Sequence, residues 1–266
     1  MSFNYYRLLK NLGLSDLRAQ QILLGVTTKT FEADEVIWPM GQSEQPWSHI
    51  LKGIVCASVP SGDAELNPVN IFGPNTWFGE ASLLNGRASA VEYICLTPAR
   101  VVSVRYADAL RAFEQDSEFS RYIARLVIWR GQQHAEMLAL MRVGSPSLRV
   151  VMGLALLTEA IVSNSSHLPR YDLDASLQIP LKQALLASMC GVSRGIFSVC
   201  LQQLAASGWL RVDYATVELQ SIKTWSKFAH AHRHNRQNHS KTSMQELLIL
   251  MQKASVHDDE LMAFQN

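Results

Sequence analysis

The sequence predicts an α+β chain in three parts. These are an antiparallel β-sandwich or barrel, a long helix, and a C-terminal helix–turn–helix closed by a hairpin. Three observations carry this. Between Thr27 and Tyr106, short apolar runs alternate with turns rich in Gly, Pro and Asn. From Tyr106 to about Val143 the apolar spacing changes to three and four. Further on, "PLKQALLASMCGVSRGIFSVCLQQLAASGWLRVDYATVEL" reads as helix, glycine-bearing turn, helix and two short strands.

The bulk numbers set limits. A chain of 266 residues is long enough for two ordinary domains. It is 48% apolar and 18% charged, with a net charge of +1. That balance gives no general attraction to nucleic acid or membranes, so any basic surface is local. No run approaches the roughly 20 apolar residues that span a bilayer. The start "MSFNYYRLLKNLGLSD" lacks the pattern of a signal peptide, so a cytoplasmic location is expected. Cys56, Cys95, Cys190 and Cys200 form no CxxC pair. They read as reduced, buried thiols, and no metal site is expected.

Residues 1–25 are expected to hold N-terminal helices, with Leu8, Leu9 and Leu12, then Leu17, Ile22 and Leu23 at helical spacing. Ser15-Asp16 supplies a cap. Residues 26–108 form the β-domain, with strands at "VIW", "HILKGIVCASV", "VNIF", "VEYICL" and "RVVSV". Residues 109–144 form the long helix. There Phe119, Ile123, Leu126, Arg130, Gln133, Met137 and Leu140 step by four and three, as a dimer seam does. Gly144-Ser145-Pro146-Ser147 breaks the helix and is expected to be a hinge between domains.

Residues 145–225 carry an apolar helix, "SLRVVMGLALLTEAIV", a loop over 164–176, and the helix–turn–helix with its hairpin. The second helix of such a motif can enter the major groove of DNA. Started at Ser193, it presents Ser193, Arg194, Gly195, Ser198, Val199 and Gln202 outward. Ser193 can cap the helix and donate to phosphate. Arg194 is suited to a bidentate contact with guanine, and Ser198 and Gln202 to weaker contacts. Lys182 and Arg211 are placed for backbone phosphates. Residues 226–266 read as a basic, His-rich tail with a short helix. Its stretch "KFAHAHRHNRQNHSK" has no acid and could supplement the attraction for DNA.

"FGEASLLNGRASA", Phe78 to Ala90, has the look of a tight anion-holding loop, yet its far end is Ser89-Ala90 rather than a cation. The run "FGPNTWFGEASLLNG", with "FEADEVIWPMGQ", "SHILKGIV" and "GVSRGIFSVCLQQLAASGWL", resembles the cyclic-AMP receptor/fumarate-nitrate regulator (CRP/FNR) family of bacterial transcription factors. The resemblance covers about Leu8 to Leu219. It implies a cyclic-nucleotide-binding-like β jelly roll, a dimerisation helix and a C-terminal winged helix. It also implies a homodimer that binds double-stranded DNA, with RNA polymerase as a further partner and a small-molecule effector. Asn75 stands where the family has glycine, and asparagine tolerates the positive φ expected there.

The departures bear on chemistry. The Arg-Ser or Arg-Thr pair that clamps the cyclic phosphate aligns with Ser89 and Ala90. The hydroxyl pair that touches the base aligns near His134 and Ala135. The resemblance therefore implies an effector pocket at Gly79, Glu80, Arg87, Ser89, Ala90 and His134, with cAMP not expected to bind in the usual way. The first cysteine is Cys56, so no iron–sulfur cluster near the N-terminus is expected. Gly195 and Val199 replace a Glu and an Arg that many members use on bases. Glu80 either meets a ribose or steadies its own loop. His134 as a haem ligand, a Cys190–Cys200 redox switch and metal binding by His230, His232 and His234 are alternatives to ordinary structural roles. No nucleophile–base set is visible, so no enzyme is expected. A ligand-binding or protein-interaction module with a degenerate DNA-binding domain stands as the alternative reading.

Overall fold

Two four-stranded antiparallel sheets form the heart of the first of two compact units, which spans Met1–His134; the second spans Ala135–Asn266. The computed structural model describes residues 4–60, 66–162, 176–179, 181–213, 216–234 and 241–262.

The first unit opens with α1 (Tyr5–Lys10) and α2 (Asp16–Leu23). Ser15 caps α2 as its sequence suggests, its Oγ accepting from the Arg18 amide. The strands follow: β1 (Thr27–Phe31), β2 (Val36–Trp38), β3 (Trp47–Lys52), β4 (Val55–Ser58), β5 (Pro68–Phe72) and β6 (Trp77–Phe78). Then come α3 (Glu80–Asn85), β7 (Glu92–Cys95), β8 (Ala99–Val104), α4 (Tyr106–Gln115) and α5 (Ser117–Val143), which runs on into the second unit.

One sheet has the order β1-β8-β3-β6 and the other β2-β7-β4-β5. Phe31, Ile50, Val55, Phe72, Phe78, Tyr93, Cys95 and Val101 fill a shared core. A second cluster joins the helices to Trp47, Trp77 and Val104. Each fully buried large apolar side chain contributes about 1.5–3 kcal/mol.

Three features of this unit differ from the sequence reading. The run from Tyr106 to Val143 is two helices, because Asp116 takes an extended conformation (φ −120°, ψ 104°) between them. Asp116 also accepts the Ser15 amide at 3.0 Å. The anion-loop stretch contains a helix, α3, bounded by Gly79 (φ 93°) and Gly86 (φ 60°). Phe119 and Ile123 are 1% and 0% exposed and lie in the core of their own chain. They cannot line a seam with a second chain, because a side chain already enclosed has no face left to offer.

The second unit contains the last turns of α5, then α6 (Pro146–Val162), β9 (Leu177–Ile179), α7 (Gln183–Met189) and α8 (Arg194–Ala206). β10 (Leu210–Val212), β11 (Val217–Leu219), α9 (Ile222–His234) and α10 (Met244–Met262) complete it. Its sheet has the order β10-β11-β9, all antiparallel. Pro146 opens α6, where its missing N–H costs nothing. Ser145 caps that helix through Leu148 and donates to the Thr242 carbonyl at 2.6 Å.

The break at Gly144–Ser147 is therefore a packed corner inside the second unit rather than the hinge expected between domains. The described part of the His-rich stretch also differs from a loose tail, while residues 235–240 lie outside the described residues. Residues 222–234 form α9, which buries Trp225, Phe228 and Ala229 against α6 and α10. Aromatic and small residues at helical spacing outweigh the charged ones between them. The expected loop over 164–176 lies almost wholly outside the described residues, as do Tyr214 and Ala215 of the hairpin.

Candidate functional site: a sealed loop and an exposed helix of a helix–turn–helix

Asn75 adopts φ 63°, in the left-handed region its replacement of glycine requires. It turns the chain into β6, and Gly79 then turns it into α3. This places Glu80 in the first turn of α3, facing inward. Its carboxylate Oε1 accepts from Nη1 of Arg130 on α5. The Arg130 Nη2 donates to the Trp77 carbonyl, and its guanidinium lies 5.0 Å from the centre of the Phe72 ring. The Arg130 and Glu80 side chains are 8% and 13% exposed. Breaking such an enclosed pair leaves a stranded charge, so the contact ties α5 firmly to the loop.

Burial pushes the Tyr93 phenol above its ordinary range, and the nearby Glu80 carboxylate adds to that. Tyr122 is raised chiefly by burial as well. Glu80 Oε2 is buried with no hydrogen-bond partner, which leaves one acceptor at this site open to a donor.

The residues expected to form an effector pocket are thus only partly brought together. Gly79 and Glu80 meet. Arg87 is exposed, its amide held by Asn85 Oδ1 at 2.8 Å. Ser89 is spent on its own turn, its hydroxyl donating to the Val91 carbonyl at 2.6 Å and its amide to Gln42 O at 3.0 Å. Ala90 and His134 are exposed. The cation that meets Glu80 is Arg130, which the heptad spacing assigned to a dimer seam. Its spacing matched the seam because core and seam residues on one helix share the same period. A cyclic phosphate needs a cation at the loop's end, and the residues there do not fit that requirement.

Besides the buried face that carries Phe119 and Ile123, α5 has a second apolar stripe that is open to solvent. Val127 is 37% and Ile128 61% exposed, with Ala124 and Gly131 also open to solvent. These positions, and the exposed Ala135 and Leu138 further along the same helix, repeat at three and four. Of the expected seam residues, Leu126, Gln133 and Met137 are half-buried and Leu140 is buried.

In the second unit α7 and α8 meet with a bend of 102°, the geometry of a helix–turn–helix. Gly191 supplies φ 63° in the turn. Arg149 on α6 braces that turn, its Nη1 donating to the Gly191 carbonyl at 2.8 Å. Ser193 caps α8, accepting from the Ile196 amide at 3.3 Å. Phe197, Cys200, Leu201 and Leu204 are all buried, which fixes the rotation of α8.

That rotation turns Ser193, Arg194, Gly195, Val199 and Gln202 outward, with Ser198 half-buried. Ile196, 41% exposed, joins them, although its place one turn before the buried Cys200 puts it by period on the inner face. Lys182 stands exposed at the N-cap of α7. Arg211 on the hairpin faces Glu218 across the strand pair at 4.0 Å. Its charge is partly countered, so it is the weaker of the two phosphate candidates.

Burial pushes the Cys190 thiol up to about 12 and raises Cys200. Neither suits a redox switch, because the thiolate is the reactive form. His230 and His232 lie on a helix, where alternate residues do not share a face, and the side chain of His234 lies outside the described residues. Phe228 stacks on His232 at 4.7 Å. Among the described residues, no three His, Cys, Asp or Glu side chains gather to hold a metal. No single described helix is long and apolar enough to cross a membrane.

Comparison with known proteins fits this arrangement. Residues 28–116 match the family model of the cyclic nucleotide-binding domain. No curated protein matches the chain. Solved structures with the same fold include FixK2 from Bradyrhizobium japonicum, 14% identical, at a TM-score of 0.61 over 75% of this chain and 95% of that one. CLP, the c-di-GMP responsive global regulator of Xanthomonas campestris, is 16% identical at 0.58, over 77% and 99%. A CRP/FNR-family transcriptional regulator from Thermus thermophilus is 19% identical at 0.56, over 77% and 98%. The chain therefore has a cyclic nucleotide-binding-type β domain and the fold of CRP/FNR regulators.

Proposed function

We propose that this protein is a homodimeric, sequence-specific DNA-binding transcription regulator, acting in the cytoplasm and without enzyme activity. The observation that carries the reading is α8 itself. It is rigidly seated by four buried residues, capped at Ser193, and open along Arg194, Ile196, Val199 and Gln202. Arg194 reads guanine, and Ile196 and Val199 offer apolar contact to thymine methyl groups. Lys182 and Arg211 hold backbone phosphates. The exposed stripe of α5 through Ala124, Ile128 and Gly131 pairs two chains. Two recognition helices about 34 Å apart then read a twofold-symmetric site.

The β domain is the sensor. With Glu80 engaged by Arg130 and no cation at Ser89-Ala90, it does not use cAMP in the usual way. Either another ligand separates Glu80 from Arg130, or the ligand-free form binds DNA. CLP shows that the fold serves a regulator responsive to a cyclic dinucleotide, so c-di-GMP belongs with cAMP and cGMP in a calorimetric titration. An effector acts only through unequal affinity for two arrangements of the protein.

The test is selection of duplexes from a random pool, followed by mobility shifts across salt concentrations. Arg194→Ala relaxes base preference by about 1–3 kcal/mol at one position, while Lys182→Ala weakens every sequence alike. The sparse charge of α8 favours a second reading, a ligand-binding or protein-interaction module with a decayed DNA-binding domain. That reading replaces the first if no selected sequence exceeds random DNA by more than a few-fold.

A further inference from the structure

A cleft of about 490 Å³ opens between α2 and α4 in the first unit, away from Glu80 and its loop. Three guanidinium groups line it, from Arg18, Arg105 and Arg111, against the single carboxylate of Asp108. Arg105 Nε takes that carboxylate at 2.6 Å. Arg18 is oriented by neutral acceptors, the side-chain oxygens of Gln21 and Gln115. Amides steer a guanidinium without cancelling its charge, so Arg18 is fixed in direction and still cationic. Arg111 has no acidic partner among the described residues.

Gly25 supplies an independent observation. Its φ lies outside the left-handed region, so its backbone does not demand glycine. The demand is for space. A Cβ there would overlap the Arg105 guanidinium, with Cζ and Nη2 each 2.7 Å away. The absence of a side chain at position 25 lets Arg105 lie in the cleft. At the lip stand Leu17 and Leu24, 68% and 90% exposed, the two most open large apolar side chains among the described residues. Convergent cations beside bare apolar surface suit a ligand with an anionic head and an organic body, and the volume lies in the range of small-molecule sites.

We propose that the α2–α4 cleft binds a small phosphate ester, its phosphate held by Arg18, Arg105 and Arg111 and its organic part resting on Leu17 and Leu24. This site is separate from the DNA-binding reading and stands or falls without it. Forked guanidinium groups match phosphate oxygens in pairs, which distinguishes the site from a diffuse positive surface.

The experiment is isothermal titration of the full chain at about 150 mM KCl, where exposed charges are largely screened. The probes are inorganic pyrophosphate and hexyl phosphate. Each is expected to bind saturably at one site per chain. Arg111→Gln, an exposed change that leaves the melting temperature in place, weakens both probes by about tenfold or more. Gly25→Ala does the same by displacing Arg105. Leu24→Ser weakens hexyl phosphate and leaves pyrophosphate unchanged. The assignment is overturned by absence of saturable binding of either probe to the unmodified chain, or by equal affinities in Arg111→Gln. Equal binding of hexyl phosphate by Leu24→Ser overturns its apolar half.

Discussion

Arg130 on α5 and Glu80 at the start of α3, fifty residues apart, form an ion pair almost closed to solvent. The pair joins the first turn of α3 to the long helix through a contact that does not tolerate loss of one member. Arg130→Met is expected to cost about 3–5 kcal/mol, because Glu80 is left charged and enclosed. Replacing both, as Arg130→Met with Glu80→Leu, recovers much of that loss. Urea unfolding of the two variants side by side measures the difference.

Stability should depend on pH through His49. Burial lowers its pKa from 6.5 to about 4, and its Nδ1 has no hydrogen-bond partner. Between these values the unfolded chain binds a proton that the folded chain refuses. Stability therefore falls as pH drops from about 6.5 toward 4, by up to about 3 kcal/mol at the lower end. His49→Phe removes this part of the slope. Denaturation midpoints at pH 7 and pH 4.5, compared between the two proteins, give the readout.

The turn of the helix–turn–helix leans on Arg149. Arg149→Met leaves the Gly191 carbonyl without its donor and is expected to cost about 1–2 kcal/mol. Because that carbonyl precedes the cap of α8, DNA affinity should fall alongside stability. Parallel unfolding and mobility-shift curves check both.

Ser193→Ala removes the α8 cap and is expected to cost about 1 kcal/mol. Chemical denaturation of this variant reads the loss. Arg194→Ala, whose side chain is exposed, serves as the control that changes base preference without changing the denaturation midpoint.

Ile128→Glu places a charge in the centre of the open α5 stripe. A homodimer built on that stripe separates into single chains, halving the mass measured by light scattering. Ile123→Glu instead buries a charge in the chain's own core and unfolds the first unit.

Much of the architecture was legible because burial leaves periodic traces. The runs "VIW" and "RVVSV" became β2 and β8, and Phe197, Cys200, Leu201 and Leu204 became the buried face of α8. β1 is four-fifths exposed and mostly threonine, so its start rested on the change of period alone. α3 was concealed by its two flanking glycines, which read as a loop.

Period alone could not say which side of α5 meets its own chain. Phe119 and Ile123 face the core, while Val127 and Ile128 face out. Nor could it show that Arg130 turns inward, because its partner Glu80 is distant in sequence. The acid-free stretch from Ile222 hid a helix, since its charges obscured the spacing of Trp225, Phe228 and Ala229.

All four cysteines are enclosed, with Cys56 and Cys95 also pushed up to about 12. Maleimide reagents attack the thiolate, which is scarce at neutral pH in every one of these positions. A cysteine introduced at Leu138 would accordingly take a fluorophore selectively in the otherwise natural sequence. Fluorescence measurements of this helix can proceed without first deleting a native sulfur.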